Sequence, residues 1–264
     1  MENKEIISQG DGHSLLVDTA LLAGTIVLES GGETFRAEET VVNFCYAGGC
    51  KSVSAIAFPT GIMITVNYNT DTVSALKRIK KRGINLAKLN GVNDLVRKFI
   101  GGHLTLEKTY EELKKLSESG KENKLVMIFA SAFASAMFAV LFGGGLFDGT
   151  VAFIAGVIVQ LLAFSVKKTS IYGFSFSFIS GAVIALIAVL SMQIFKMGNM
   201  EHIIIGSIMP ILPGLMLTSA IRDTVMGDLV AGTARLVEAL LIAVAIAGGV
   251  GIVLSIYMSM GGVV

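Results

Sequence analysis

Between Ile205 and Asp228 the chain reads IGSIMPILPGLMLTSAIRDTVMGD. The residues from Ile203 to Ile221 are apolar enough to enter a bilayer, yet they carry Pro210, Pro213 and Gly214 near their centre and run directly into Arg222 and Asp223. A plain membrane anchor needs neither feature. Proline lacks an amide hydrogen and clashes with the preceding turn, and it drives the residue before it, here Leu212, out of the helical region. Two half-helices are therefore expected, with Pro213 in the first turn of the second and Gly214 leaving room for backbone or ligand to come close. Irregular backbone at membrane depth is tolerated only where it is buried in protein or lines a wet cavity. There the positive amino end of the second half-helix would attract a carboxylate. Pro213, Gly214, Thr218 and Arg222 are the candidate substrate-binding residues; a purely structural proline kink is the alternative.

Charge gathers just beyond this stretch. Arg222, Asp223, Asp228, Arg235 and Glu238 surround the turn into the last apolar segment, and Arg235 and Glu238 are spaced to share a helix face. Glu238 falls about a turn inside that segment, where an unpaired carboxylate is costly. Asp223, Asp228, Arg235 and Glu238 are the candidate coupling or gating residues, Glu238 first among them as a titrating group; neutralisation of Glu238 by Arg235 near the interface is the other reading.

The wider chain fits this picture. Of 264 residues 53% are hydrophobic and 16% charged, with mean hydropathy +0.73, too apolar for an ordinary soluble protein. Residues 1–124 hold 16 of the 21 Lys and Arg and 15 of the 20 Asp and Glu, so a polar front half precedes a membrane back half. About 20 apolar residues span a bilayer, and five spans are expected at 125–142, 150–166, 174–195, 202–221 and 229–258. Small residues at helical spacing, including Ser131, Ser135 and Ala139, Ala132 and Ala136, Gly181 and Ala185, and Ala245 and Gly249, suit close helix packing. The 143–149 loop lacks Lys and Arg, the 167–173 loop has Lys167 and Lys168, the 196–201 loop has Lys196 alone, and Arg222 follows the fourth span. The positive-inside rule then puts the amino-terminal domain in the cytoplasm and, after five spans, the tail SMGGVV outside an inner cell membrane.

The front half, residues 1–122, reads as a small cytoplasmic α+β domain, and residues 123–264 as the transmembrane domain. Helical spacing follows Ser14, a candidate N-cap, and breaks at Gly31–Gly32 before a second helix to about Tyr46. SVSAIAF and IMITV alternate as strands about the turn at Pro59–Gly61, a third strand is expected near Ser74–Ile79, and helices at 86–99 and 105–118 follow. Residues 1–14 lack the apolar run of a secretory signal. Glu29, Glu33, Arg36 and Glu38 read as a solvated helix face sooner than an ionic site, and KRIKKRG from Lys77 to Gly83 as a solvated or headgroup-facing edge.

Several functions are argued against. Net charge +1 without a basic stripe gives no nucleic-acid partner. Cys45 and Cys50, five residues apart, fit neither a redox pair nor a zinc knuckle and read as packed thiols. His13, His103 and His202 are isolated, so neither metal nor other cofactor is expected. Nucleophile-elbow, P-loop and dinucleotide motifs are missing, so the chain does not read as an enzyme. A membrane-anchored regulatory or hydrolytic domain is the runner-up to a transporter.

The segments GGETFRAEET, FPTGIMITV, INLAKLNGVNDLVRKF, FGGGLFDG and IMPILPGLMLTSAIRDTVMGDLVAGTARLVEA together resemble the threonine/serine exporter family, in its first half, over nearly all of residues 14–255. Gly32, where members often have alanine, is a mild departure. The resemblance implies a secondary exporter of small carboxylate-bearing metabolites, threonine- or serine-type amino acids or dicarboxylates such as succinate, driven by an ion gradient. Fused members have about ten spans, so this chain is similar to the larger subunit of the split exporters. That implies a partner, a smaller membrane subunit carrying the second half, and leaves an oligomer possible.

One outcome checks the orientation. A reporter fused after Val264 should give the external signal while one at the amino terminus gives the cytoplasmic signal; a cytoplasmic signal at both ends requires an even number of spans.

Overall fold

A computed structural model of the chain describes residues 11–68, 71–80, 82–119, 123–166 and 173–262. Lys167 and Lys168, on which the expected orientation partly rests, lie outside the described residues, as do Val263 and Val264. The chain divides into two compact units, one of Met1–Lys121 with Leu215–Leu236, the other of Glu122–Gly214 with Val237–Val264.

In the first unit, α1 (Asp11–Glu29) is buried on nearly every side from Leu16 to Leu28, as expected of a helix apolar all round. Ser14 lies inside this helix instead of capping it. Ser30 and Gly31 make the turn into α2 (Thr34–Ala47), whose Val41, Phe44 and Cys45 are buried. Strands β1 (Ser52–Phe58), β2 (Gly61–Tyr68) and β3 (Asp71–Arg78) form an antiparallel meander, and Phe58 pairs with Gly61 across the two-residue turn Pro59–Thr60. Alternation turns Ile62, Ile64 and Val66 into the core. Asn85 caps α3 (Leu86–Ile100) and Thr105 caps α4 (Leu106–Glu118), each accepting a backbone N–H three residues on. Phe44 stacks on Phe99 at 4.1 Å between ring centres, which joins α2 to α3. Cys45 and Cys50 are buried free thiols, and burial, with Cys50 beside it, pushes the Cys45 thiol well above its ordinary range.

The second unit is built from α5 (Lys124–Leu141), α6 (Leu146–Val166), α7 (Phe174–Phe195), α8 (Met200–Ile208) and the body of α10 (Leu229–Ser259). Among the described residues α5, α6, α7 and α10 are long and apolar enough to cross a membrane; α8 and α9 (Gly214–Val225) together make a fifth crossing or a re-entrant loop. A short 3-10 turn, Met209–Ile211, ends the α8 arm, and Leu212 is extended at φ −64°, ψ 141° before Pro213, so the expected break is present. α6 starts four residues before the expected position, because the turn is only Gly143–Gly145 and Asp148 belongs to the helix.

Small residues let these helices meet backbone to backbone. A β-carbon at Gly156 of α6 would come within 2.8 Å of Ala132 in α5, and one at Gly206 of α8 within 2.5 Å of Ala139. At Gly249 of α10 it would lie 2.0 Å from the Phe178 carbonyl oxygen of α7. Lipid gives helices little hydrophobic reason to associate, so such close approach carries the packing.

Gly249→Leu should consequently open the α7–α10 seam and lower thermal stability in detergent, by about 1–3 kcal/mol. Gly251→Leu, where a β-carbon meets nothing within 4 Å, should leave the melting temperature unchanged. Equal effects of the two would show that the seam is not where α10 is held.

Candidate functional site

The first unit contains a buried ionic network that brings residues 32–38 against residues 222–235. Its origin is the amino end of α2. The first N–H groups of a helix have no partner within it, and Glu33, in the capping position, makes no side-chain cap. Asp223 of α9 supplies one instead: its Oδ1 accepts the Thr34 backbone N–H at 3.1 Å and the Thr34 hydroxyl at 3.0 Å. A carboxylate there is also favoured by the helix dipole. Asp223 is fully buried.

Arg235, near the start of α10, balances that charge. Its Nε lies 3.0 Å from Asp223 Oδ2 in an ion pair, and its Nη2 donates to the Gly32 carbonyl at 2.7 Å. Gly32 itself is tight: a β-carbon would come 2.9 Å from the Val27 carbonyl oxygen, so alanine here is not the mild change expected from sequence. Glu33 turns away from the cap and bonds Arg222 Nη1, with Arg36 at 3.7 Å from its other oxygen. The Arg222 side chain stays 59% exposed, which leaves it able to exchange partners.

Asp228, in the turn after α9, completes the set. Its Oδ2 is 3.0 Å from the Thr34 hydroxyl that also contacts Asp223. A hydroxyl has one proton. While Thr34 donates to one aspartate, the other must bring a proton or accept an oxygen–oxygen contact. Glu38, one turn along α2, accepts the Ala57 N–H at 2.6 Å, and burial, reinforced by Asp228 and Asp223, pushes its carboxyl up despite that hydrogen bond. Among the described residues, Glu33, Glu38, Asp223 and Asp228 stand with Arg36, Arg222 and Arg235 in the contacts above, four acids to three bases.

Of the sequence candidates, Arg222, Asp223, Asp228 and Arg235 are joined here. Thr218 is exposed and donates to the Leu215 carbonyl at 2.9 Å within its own helix. Pro213 and Gly214 stand at the start of α9, and a β-carbon at Gly214 would meet nothing within 4 Å, so close packing is not what glycine serves there. Eight residues of helix, about 12 Å, separate Gly214 from Arg222, too far for one small carboxylate to touch both. Glu238 lies half-buried farther along α10, in the second unit. Sequence reading missed Glu33, Thr34 and Glu38, taking the first and last as a solvated face. GGETF offered the signal, a glycine pair followed by an acid and a hydroxyl at a helix start.

A polytopic helical membrane protein in which α9 and the start of α10 share a charged network with α2 is the class so defined. Residues 18–257 match the family described as "Putative threonine/serine exporter", and the chain belongs to that family. It is 22% identical over 94% of its length to a protein of Mycobacterium tuberculosis named "Probable threonine/serine exporter", covering 46% of that protein. It is 27% identical over 79% of its length to "Pheromone-regulated membrane protein 10" of Pichia sorbitophila, covering 20% of it. The chain thus spans about half or less of the relatives it matches. No solved structure matches.

The Glu38 environment gives a stability prediction. A carboxyl raised in the fold contributes stability that is present below its ordinary value of 4.5 and is lost as pH rises through the folded value. Glu38→Gln keeps an acceptor for Ala57, so it should match the parent below that value and exceed it at neutral pH. Chemical denaturation at the two pH values checks this; a variant less stable at neutral pH would mean that the ionised carboxylate is favoured.

Proposed function

We propose that this chain is a subunit of a secondary exporter that moves small carboxylate-bearing metabolites, threonine- or serine-type amino acids or dicarboxylates, out of the cell, together with a smaller membrane subunit carrying the second half. Family membership supports the export role. The observation that carries the mechanism is the ionic network itself: a membrane anchor has no use for a buried Asp223 that caps a helix 189 residues away in sequence.

In this reading residues 1–122 face the cytoplasm, residues 123–264 form the membrane domain, and the tail after α10 is external. The alternation of the spans is supported by Asp148 reaching Asn199, since two crossings between them return the chain to the same side; the orientation rests on the positive-inside rule. The substrate carboxylate meets two stations in turn along α9, the amino end with Pro213, Gly214 and Thr218, and Arg222. At the second it displaces Glu33 from Arg222. Asp223, Asp228 and Arg235 gate the step, and the surplus acidity around Thr34 accepts the coupling proton; Glu238 on α10 is a further coupling group.

Export assays on cells loaded with a panel of amino and dicarboxylic acids, with and without the smaller subunit, test the assignment. Export should need both subunits. Arg222→Gln should reduce it at least tenfold, and the charge swap Glu33→Arg with Arg222→Glu should restore thermal stability without restoring export. If the swap recovers export, Arg222 only pairs with Glu33. If no substrate in the panel moves with both subunits present, the transport reading fails.

A further inference from the structure

A second polar site lies in the other unit, in the FGGGLFDG turn that the network above does not use. Asp148, in the first turn of α6, is almost fully buried. Its Oδ2 accepts the Gly145 N–H at 2.9 Å, and its Oδ1 accepts the Asn199 N–H at 2.8 Å from the turn between α7 and α8. Asn199 in turn caps α8 by accepting the Glu201 N–H at 2.8 Å. Gly198, at φ +90°, makes this crossing possible, since a β-carbon there would fall 2.3 Å from Asp148 Oδ1. One carboxylate therefore ties two loops that are some fifty residues apart.

His202 is the unsatisfied member of the site. Its Nδ1 is shielded from solvent, makes no hydrogen bond and points at Asp148 Oδ2 from 3.9 Å, while the side chain as a whole stays 27% exposed. With the neutral ring protonated at Nε2, the Nδ1 lone pair faces the carboxylate and is repelled, in keeping with the open 3.9 Å contact; a second proton, at Nδ1, gives an imidazolium whose charge-assisted hydrogen bond of about 2.8 Å is roughly 1 Å shorter. Lys196 at the end of α7 and Glu201 in α8 are exposed, and Tyr257 of α10 packs against the apolar cluster that includes Met200. α5 brings no ionisable side chain to this end.

We propose that His202 and Asp148 form a proton-binding latch: a proton taken up by His202 draws the imidazolium onto Asp148 and clamps the 143–145 turn to the 196–199 turn. It stands apart from the Thr34 network and does not depend on which substrate is exported.

Hydrogen exchange of the full chain in detergent, where both faces meet one pH, tests it. After correction for intrinsic rate, the segment 197–202 should be protected at least threefold more at pH 5.5 than at pH 8, relative to a segment in α3. That difference should vanish in His202→Gln and in Asp148→Asn and persist in Glu201→Gln. Protection that is flat with pH in the parent overturns the latch, whether or not the variants fold. A pH dependence surviving in folded His202→Gln overturns it too, by assigning the effect to another group.

Discussion

The bond between Asp223 and the amino end of α2 is the constraint on which the first unit depends. It satisfies a helix end that its own capping residue, Glu33, leaves open, and it does so with a side chain from near the far end of the chain. Because the acceptor is a buried carboxylate, it requires a cation, which Arg235 provides. Because Arg235 also holds the Gly32 carbonyl, the turn that delivers Glu33 and Thr34 is fixed by the same residue. Only arginine suits that task, since one planar fork serves a carboxylate through Nε and a carbonyl through Nη2, while an ammonium is a single point. Leu215–Leu236 consequently belongs with the amino-terminal residues and not with its sequence neighbours.

The second unit is held by a different kind of force. Apart from single charges such as Asp148 and Glu238 its helices are apolar nearly all round, so no stripe tells them which side to bury. Small residues make that choice: the buried positions of α5 are Ala132, Ser135, Ala136 and Ala139, while Phe129, Phe133 and Met137 point outward. Inside out by the standard of a soluble core, the arrangement is what a lipid solvent selects, because large apolar side chains lose nothing by facing it.

These two forces explain what could be read from sequence. Among the described residues every α-helix and strand was visible, though not the 3-10 turn Met209–Ile211, because period and punctuation are local: the two-residue turn after Phe58, the Gly31–Gly32 break and the extended Leu212 before Pro213 follow from backbone chemistry within a few residues. Element starts were less visible, as at Asp148, which looked like a loop acid and is a helical residue reaching both Gly145 and Asn199. The network was half visible. Its carboxyl-terminal members stood out as charges beside an apolar run, whereas Glu33 and Glu38 sat among ordinary helix charges, and no period in α2 reveals that Thr34 has a partner 189 positions on. Glu38 acquires its unusual environment only once β1 offers the Ala57 amide and Asp228 approaches.

Cost argues for a working role for the network. Taking an ion pair out of water costs several kcal/mol per ion, and well-packed apolar replacements are often as stable or more so. A fold needing only to join two segments could do it with leucines. What leucines cannot do is change partner or charge, and the network has features that would permit both: Arg222 is exposed while paired with Glu33, Thr34 has one proton for two aspartates, and the residues named above hold four acids to three bases. Each property is a weak point in a static joint. Together they fit the proposed role, in which one proton or one carboxylate would be enough to rearrange the joint.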